Sequence, residues 1–488
     1  MSRRALAAAL LVCRALAASA QSGDAATPAT PPAPAATEYP ALSLREAVLQ
    51  ALEHNPSLKA QRLVPEIRKA AVSEELGFLD PQLAAEASHT WPAAPLTAGS
   101  GAEAGLSLTL ATGTSVGASL GAGWDPVSSA YDVEVTQSLL AGGRLSANLA
   151  RVRQARLDVL ASQHELRGFT ESLVAGVQQA YWDHHLALRQ REIYRESLSL
   201  AERQLEESRI RAQVGQIAPI ELAAPRAEVV SRREALREGE KRVETTRLSL
   251  LLRLHSPGAD APGTGLDAPV RLADSPAPVG PLDELPGHVA LGLRRRPELL
   301  QARLELERGE LEVARTRNGL LPRLDAFISF GGTGYAAAFG DTFSAAAQDS
   351  SLSAGLSLEL ALGNRAAKAR VQQAKFSRDQ AVESVRALER TVEVDVRAAW
   401  LEAGFAAERV STSAELRSLQ EQTLSAETEK FRIGASTTFL VAQAQRDLLA
   451  SQLSEAQAAV QYQLAVVTLY RLEGTLLERS GIEAGPPN

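Results

Sequence analysis

The side chains that could do chemistry are present but not assembled. Seven histidines are scattered along the chain, at His54, His89, His164, His184, His185, His255 and His288. A metal site needs several donors converging on one point, and only His184 and His185 are adjacent. Neighbours on a helix splay by about 100°, so this pair does not chelate one ion, and a solvated helix face is the expectation for it. Cys13 is the only cysteine. It lies in the N-terminal leader described below, so the mature chain is expected to hold no disulfide, thiolate nucleophile or cysteine metal site. No Gly-rich phosphate-binding loop is present. The 58 acidic and 51 basic residues are interleaved within helical patterns, the signature of solvated faces. A net charge of −7 gives no cause for binding nucleic acid. No enzyme, cofactor or metal is therefore expected.

The elements that would carry these residues are long. Aromatics make up 4% of the 488 residues, while Ala, Leu, Glu, Arg and Gln dominate, a composition of long helices. The opening MSRRALAAALLVCRALAASAQ has a basic start, an apolar stretch and a small-x-small site at Ala18–Ala20, which predicts a signal peptide over 1–20. Val12 stands before Cys13 where a lipoprotein signal wants a small residue, so no lipid anchor is expected. Residues 21–41 are a Pro/Ala-rich spacer. No later stretch is apolar for the roughly 20 residues of a spanning helix, so any membrane insertion must use strands.

The rest of the chain is one unit used twice. Pro56 and Pro297 are 241 residues apart, and so are Pro81 and Pro322. LLAGGRLSANLARVRQAR resembles ELALGNRAAKARVQQAK, pairing Arg144 with Arg365, and RAQVGQ resembles FRIGAS, pairing Gly215 with Gly434. The first repeat, 42–255, reads as helix 57–79, strand region 82–138, long helix 144–213 and return helix 219–254. A linker or equatorial segment follows over 256–287. The second repeat, 288–478, reads as helix 298–320, strand region 323–361, long helix 366–432 and return helix 438–474, before a tail over 479–488. In LSAGLSLEL (352–360) the apolar residues alternate with Ser, Gly and Glu359, a period of two that predicts a strand with one polar face. AEAGLSLTLATGTSVGASLGAGW (102–124) reads as an extra hairpin turning at Gly113. The two short helices of each repeat, end to end, match one long helix of roughly 100 Å. Such a slender unit lacks a compact core and needs neighbours.

These residues resemble the TolC-like outer-membrane efflux protein family, the outer membrane factors of tripartite efflux and type I secretion systems. The resemblance rests on ALEHNPSL (51–58) and RRPEL (295–299), on the helix-to-strand junctions at Pro81 and Pro322, and on the strand-to-helix junctions at Gly143, Arg144, Asn364 and Arg365. It rests also on the tip turns VGQIAPIELAAPRAEV (214–229) and IGASTTFLVAQAQRDL (433–448). Ser138 stands where the family usually has Pro. The resemblance implies a homotrimer with a periplasmic α-barrel of helical hairpins. Each chain would lend four strands to a shared 12-stranded outer-membrane β-barrel, with the extra hairpin lengthening the extracellular rim or sitting beside the barrel. It implies a passive conduit for substrates, embedded in outer-membrane lipid, whose partners are a periplasmic adaptor (membrane fusion) protein and an inner-membrane pump. The family's gate positions fall on Phe431, Ser436, Leu440 and Gln443, none of which keeps the usual Tyr, Arg or acid, and on Glu221, which does. A weakened acidic ring without the usual charged latch is expected. The other reading of Glu221 is an acid favouring its helix dipole. The alternative for the whole chain is a periplasmic coiled-coil adaptor or scaffold without a pore.

Overall fold

The computed structural model describes residues 41–91, 99–124, 126–254 and 269–482. The expected signal peptide with Cys13, the spacer up to residue 40, His255, part of the 256–287 linker and the tail beyond 482 lie outside the described residues.

The first repeat opens with α1 (Leu44–His54), whose N-terminus is closed by a capping box. Ser43 Oγ accepts from the Glu46 N–H, and the Ser43 N–H donates to the Glu46 carboxylate. Asn55 ends α1 and caps α2 (Pro56–Leu76), accepting from the N–H groups of Ser57 and Leu58. Pro56 takes the first helical position, where its missing N–H costs nothing. α2 runs on through Pro65, which is buried, and a short 3-10 turn, Gly77–Leu79, leads to the sheet. Four strands follow: β1 (Gln82–Thr90), β2 (Gly99–Thr109), β3 (Thr114–Trp124) and β4 (Val127–Ser138). A single turn, α3 (Leu145–Asn148), precedes α4 (Ala150–Gln213), which has 64 residues and spans roughly 96 Å. A 3-10 turn at Pro219–Leu222 then starts the return helix α5 (Ala223–Leu254).

The second repeat has α6 (Leu285–Arg295), α7 (Pro297–Asn318), β5 (Arg323–Tyr335), α8 (Phe339–Gln348) and β6 (Ser350–Glu359). It continues with α9 (Arg365–Arg432, 68 residues), α10 (Thr438–Leu472) and a closing turn, α11 (Leu476–Arg479). Helices α2 and α5 pack along α4, and α7 and α10 along α9, so two short helices line each long one. Contacts of α4 with α7 and α10 join the repeats. The main core sits midway, where Ala47 and Val48 of α1, Val174 and Tyr181 of α4, and Leu250 of α5 are buried together. Buried Tyr181 donates its hydroxyl to the carbonyl of Leu42 at 3.0 Å, so its polar tip is satisfied.

The six strands form one antiparallel sheet in the order β1-β2-β3-β4-β5-β6. This corrects the strand count. The extra hairpin, β2–β3, neither lengthens the rim nor sits beside the sheet. It is inserted into it, so the sheet of one chain has six strands among the described residues rather than four. The hairpin turns at Gly113, whose φ is +81°, at the end of the sheet that meets the helices. The 323–361 strand region is corrected too, since α8 interrupts it. In the first repeat the turn α3 starts at Leu145 and the long helix α4 at Ala150, and the Asn148 side-chain amide donates to the carbonyls of Ala111 and Gly142, 2.9 and 2.6 Å away.

The histidine expectation changes as well. His184 is buried between α4 and α5, its Nδ1 lies 3.0 Å from Thr246 Oγ1, and burial pushes its pKa down to about 4. His288 is buried against the carboxylate of Glu473. Helical periodicity placed His184 on a surface, but packing of α5 covers that surface. Among the described residues no group of three or more His, Cys, Asp or Glu could hold a metal ion.

Candidate functional site: sheet face, junction and helical tip

The register divides the sheet into two unlike faces. Leu83 lies opposite Leu106, Leu106 opposite Ala118, Ala118 opposite Val133, Val133 opposite Phe330 and Phe330 opposite Leu352. This face is apolar across all six strands, and Leu83, Leu352 and Leu356 are 77%, 71% and 70% exposed. So much exposed aliphatic surface suits lipid rather than water. The opposite face carries Ser, Thr, Gly and acids. Glu86 lies directly opposite Glu103, and Asp132, Glu134, Asp325 and Glu359 share their face, with Arg323 the one base among these strand residues. Arg323 bonds Asp325 at 2.7 Å. Of these acids only Glu359 stood out in the sequence. The others needed the register, although the two-residue period from Glu103 to Leu108 was a readable signal. Phe330 shares the apolar face with Tyr131, 5.8 Å away between ring centroids, and Phe327 lies on the polar side over Gly355.

The sheet-to-helix junctions are held by backbone geometry. Pro81 links the Gly77–Leu79 turn to β1. Pro322 precedes β5, and its carbonyl accepts from the Ala141 N–H at 3.2 Å. A Cβ at Gly143 would collide with the Ser138 carbonyl. Arg144 sits at the N-terminus of α3, its carbonyl accepting from Asn148. Asn364, before Arg365 opens α9, takes a left-handed φ of +41° and donates to the Leu320 carbonyl at 3.3 Å. Ser138 donates twice: its N–H to the Gly113 carbonyl at 2.9 Å, and its Oγ to Asp325 at 2.8 Å. Proline could make neither. The departure from the family's Pro and the inserted hairpin are thus parts of one arrangement.

At the far end, the two tip turns are built alike. Gly215 and Gly434 both have φ of +77°, open to the left-handed region that glycine tolerates. In each, the residue after Gly donates back into the helix: Gln216 to Arg211 at 2.9 Å, and Ala435 to Lys430 at 2.8 Å. Phe431 receives the guanidinium of Arg211 from the other repeat, 4.3 Å from its ring centroid. Ser436 donates to Glu427 at 2.8 Å. Leu440 is exposed, its N–H capped by Thr437. Gln443 bonds Asp447 at 2.9 Å and accepts from Arg446, which also reaches Glu228 of α5 at 3.4 Å. Glu221 is exposed and accepts from the Ala218 N–H at 3.4 Å, a contact within its own turn. Arg211, Glu228 and Arg446 escaped sequence reasoning because their partners lie in the other repeat.

Helical hairpins of about 100 Å, ending in a sheet with one lipid-suited face and one charged face, define a membrane-anchored conduit. The chain belongs to the outer membrane efflux protein family, whose model matches residues 47–254 and 290–475. Its fold is similar to that of a membrane protein from Pseudomonas aeruginosa (TM-score 0.70, 22% identity, 88% of this chain and 90% of that one). It is similar to the outer membrane protein VceC from Vibrio cholerae (TM-score 0.68, 15% identity, 88% and 96% covered). It is similar also to the MtrE outer membrane channel of Neisseria gonorrhoeae, solved in an open state (TM-score 0.65, 18% identity, 89% of each). No curated protein sequence matches it. The chain is the outer-membrane channel of a tripartite efflux system, with its helical part in the periplasm. The family is one of trimeric channels that work with adaptor and pump partners, not one of enzymes.

Proposed function

We propose that three copies of this chain close a continuous tube and carry substrates passively from an inner-membrane pump, with an adaptor gripping the helical tip. The observation that supports it is the open sheet: among the described residues β1 pairs only with β2, and β6 only with β5. Unpaired strand edges are not viable in lipid, so β1 of one copy must meet β6 of the next. The acidic face then lines the lumen and the leucines face lipid. The periplasmic scaffold without a pore has no use for an apolar face of this extent. Fractionation tests the reading. A heat-modifiable trimer in the outer membrane is the expected result, and a soluble periplasmic chain would overturn it.

The tip is where passage is controlled in this reading. Arg211 on Phe431, and Arg446 between Gln443 and Glu228, tie the repeats together where charged latch residues are missing. Glu221 is left as an exposed carboxylate near the axis, repeated in three copies. Conductance of Glu221→Gln in planar bilayers checks it: reduced cation selectivity is expected, and unchanged selectivity would leave Glu221 only its bond to Ala218.

A further inference from the structure

Helix α8 has no role in the conduit as described. It lies on the apolar face of the sheet, because Gly332 and Gly334, over which it packs, share that face with Ile328 and Phe330. The approach is close: a Cβ on Gly334 would collide with the Thr342 carbonyl, and one on Gly332 with that of Ala346. Thr342 and Ala346 are fully buried there. The position is the end of the sheet away from the periplasmic helices. From Leu324 to Gly332 the strand climbs roughly 26 Å, or about 20 Å of height at a ~40° tilt, against an apolar band of about 25 Å. The helix also sits over β4 and β5, the fourth and fifth of the six strands, rather than over the edge strands β1 and β6.

Its remaining surface is divided. Phe339 and Phe343 flank the buried edge and stay 41% and 47% exposed, while Trp124 on the same sheet face is 52% exposed. The Trp124 and Phe339 rings are near parallel, with centroids 6.4 Å apart, and Phe339 meets Phe343 edge-on at 5.4 Å. Gly340, Asp341, Ser344 and Gln348 are exposed. Aromatic rings beside an aliphatic band, with polar groups above them, match the boundary between acyl chains and headgroups.

We propose that α8 is an interfacial helix that docks on outer-leaflet lipid, with Trp124, Phe339 and Phe343 seated where acyl chains meet headgroups. Continuity with the lipid-facing leucines of the sheet selects lipid as the occupant. The helix carries no Lys or Arg, so its seating does not depend on anionic headgroups. The proposal rests on the chain being inserted in the outer membrane, and conductance of the same reconstituted samples reports separately on that.

Full-length trimer would be reconstituted in phosphatidylcholine vesicles containing lipids brominated near the headgroup or near the chain ends. The fluorescence of Trp124 is the difference between the protein and Trp124→Phe. Quenching by the shallow bromines should exceed quenching by the deep ones. A Trp124 signal quenched by neither, or more by the deep set, in channels that conduct, would overturn the proposal. Phe343→Trp, made in the Trp124→Phe background, is a second reporter at an exposed site and should show the same shallow pattern. If it is quenched only by aqueous acrylamide, α8 faces water or a protein partner and the proposal fails.

Discussion

The guanidinium of Arg211 lies over the ring of Phe431, 4.3 Å from its centroid, and joins the tips of the two repeats. Each residue belongs to the last turn before a glycine with φ of +77°. Both residues are half-buried, and a pair of this kind contributes roughly 0.5–2 kcal/mol. Arg211→Ala and Phe431→Ala should each raise the open fraction of single channels in planar bilayers. The double variant should open no more than the more open single variant. Additive effects would mean that the two side chains act separately.

Ser138 links the inserted hairpin to the second repeat. Ser138→Pro removes its donation to the half-buried Gly113 carbonyl and its bond to Asp325, whose other carboxylate oxygen keeps Arg323, at roughly 0.5–1.5 kcal/mol for the first and about 1.5–3 kcal/mol for the second. Ser138→Ala removes only the second. The temperature at which the trimer band disappears on unheated gels should fall most for Ser138→Pro and less for Ser138→Ala. Equal losses would mean that the N–H bond to Gly113 carries no weight.

Glu86 and Glu103 face each other across β1 and β2, and like charges in direct opposition repel. In a closed barrel this repulsion is offset when cations fill the lumen. Reversal potentials under a salt gradient should show cation preference. Glu86→Gln with Glu103→Gln should weaken that preference, most clearly at low ionic strength, where screening is least.

Glu171 is buried beside Arg167, yet burial outweighs that pairing and pushes its carboxyl up to about 7. Its folded value is thus raised above the ordinary 4.5. The stability it contributes is complete below 4.5 and is lost as pH rises through about 7. The slope is at most about 1.4 kcal/mol per pH unit for each chain. Thermal unfolding of Glu171→Gln should depend less on pH across that window than the parent protein. The gain in midpoint should be larger on the alkaline side. A gain confined to acid pH would contradict the assignment.

What was legible in the sequence was what repeats locally. The duplicated plan, the long helices and the alternating strands are written in periods of 3.6 and two, and the family resemblance followed from their order. Strand number was not, because β2 and β3 read equally well as an excursion. Only their pairing with β1 and β4 places them inside the sheet. Helix α8 was hidden in a Gly- and Ala-rich strand region, where its partner surface is the absence of side chains at Gly332 and Gly334. The tip ties were hidden for another reason. Arg211 and Phe431 are far apart in sequence, and positions carried over from a family do not show which residues of the two repeats meet in this chain. The burial of His184 likewise depends on how α5 lies along α4.

The central claim is that three open sheets close into one barrel through β1 of one copy and β6 of the next. Cys13 lies in the expected leader, so cysteines introduced into the mature chain would have no competitor. One would replace Leu83, Ala85 or Ala87 on β1, and a second would replace Leu352, Ala354 or Leu356 on β6, with each pair oxidised in isolated outer membranes. At least one register should yield covalent dimers and trimers that revert on reduction. If every pair stays monomeric while the channel still conducts, the two edges do not meet and the barrel does not close through them.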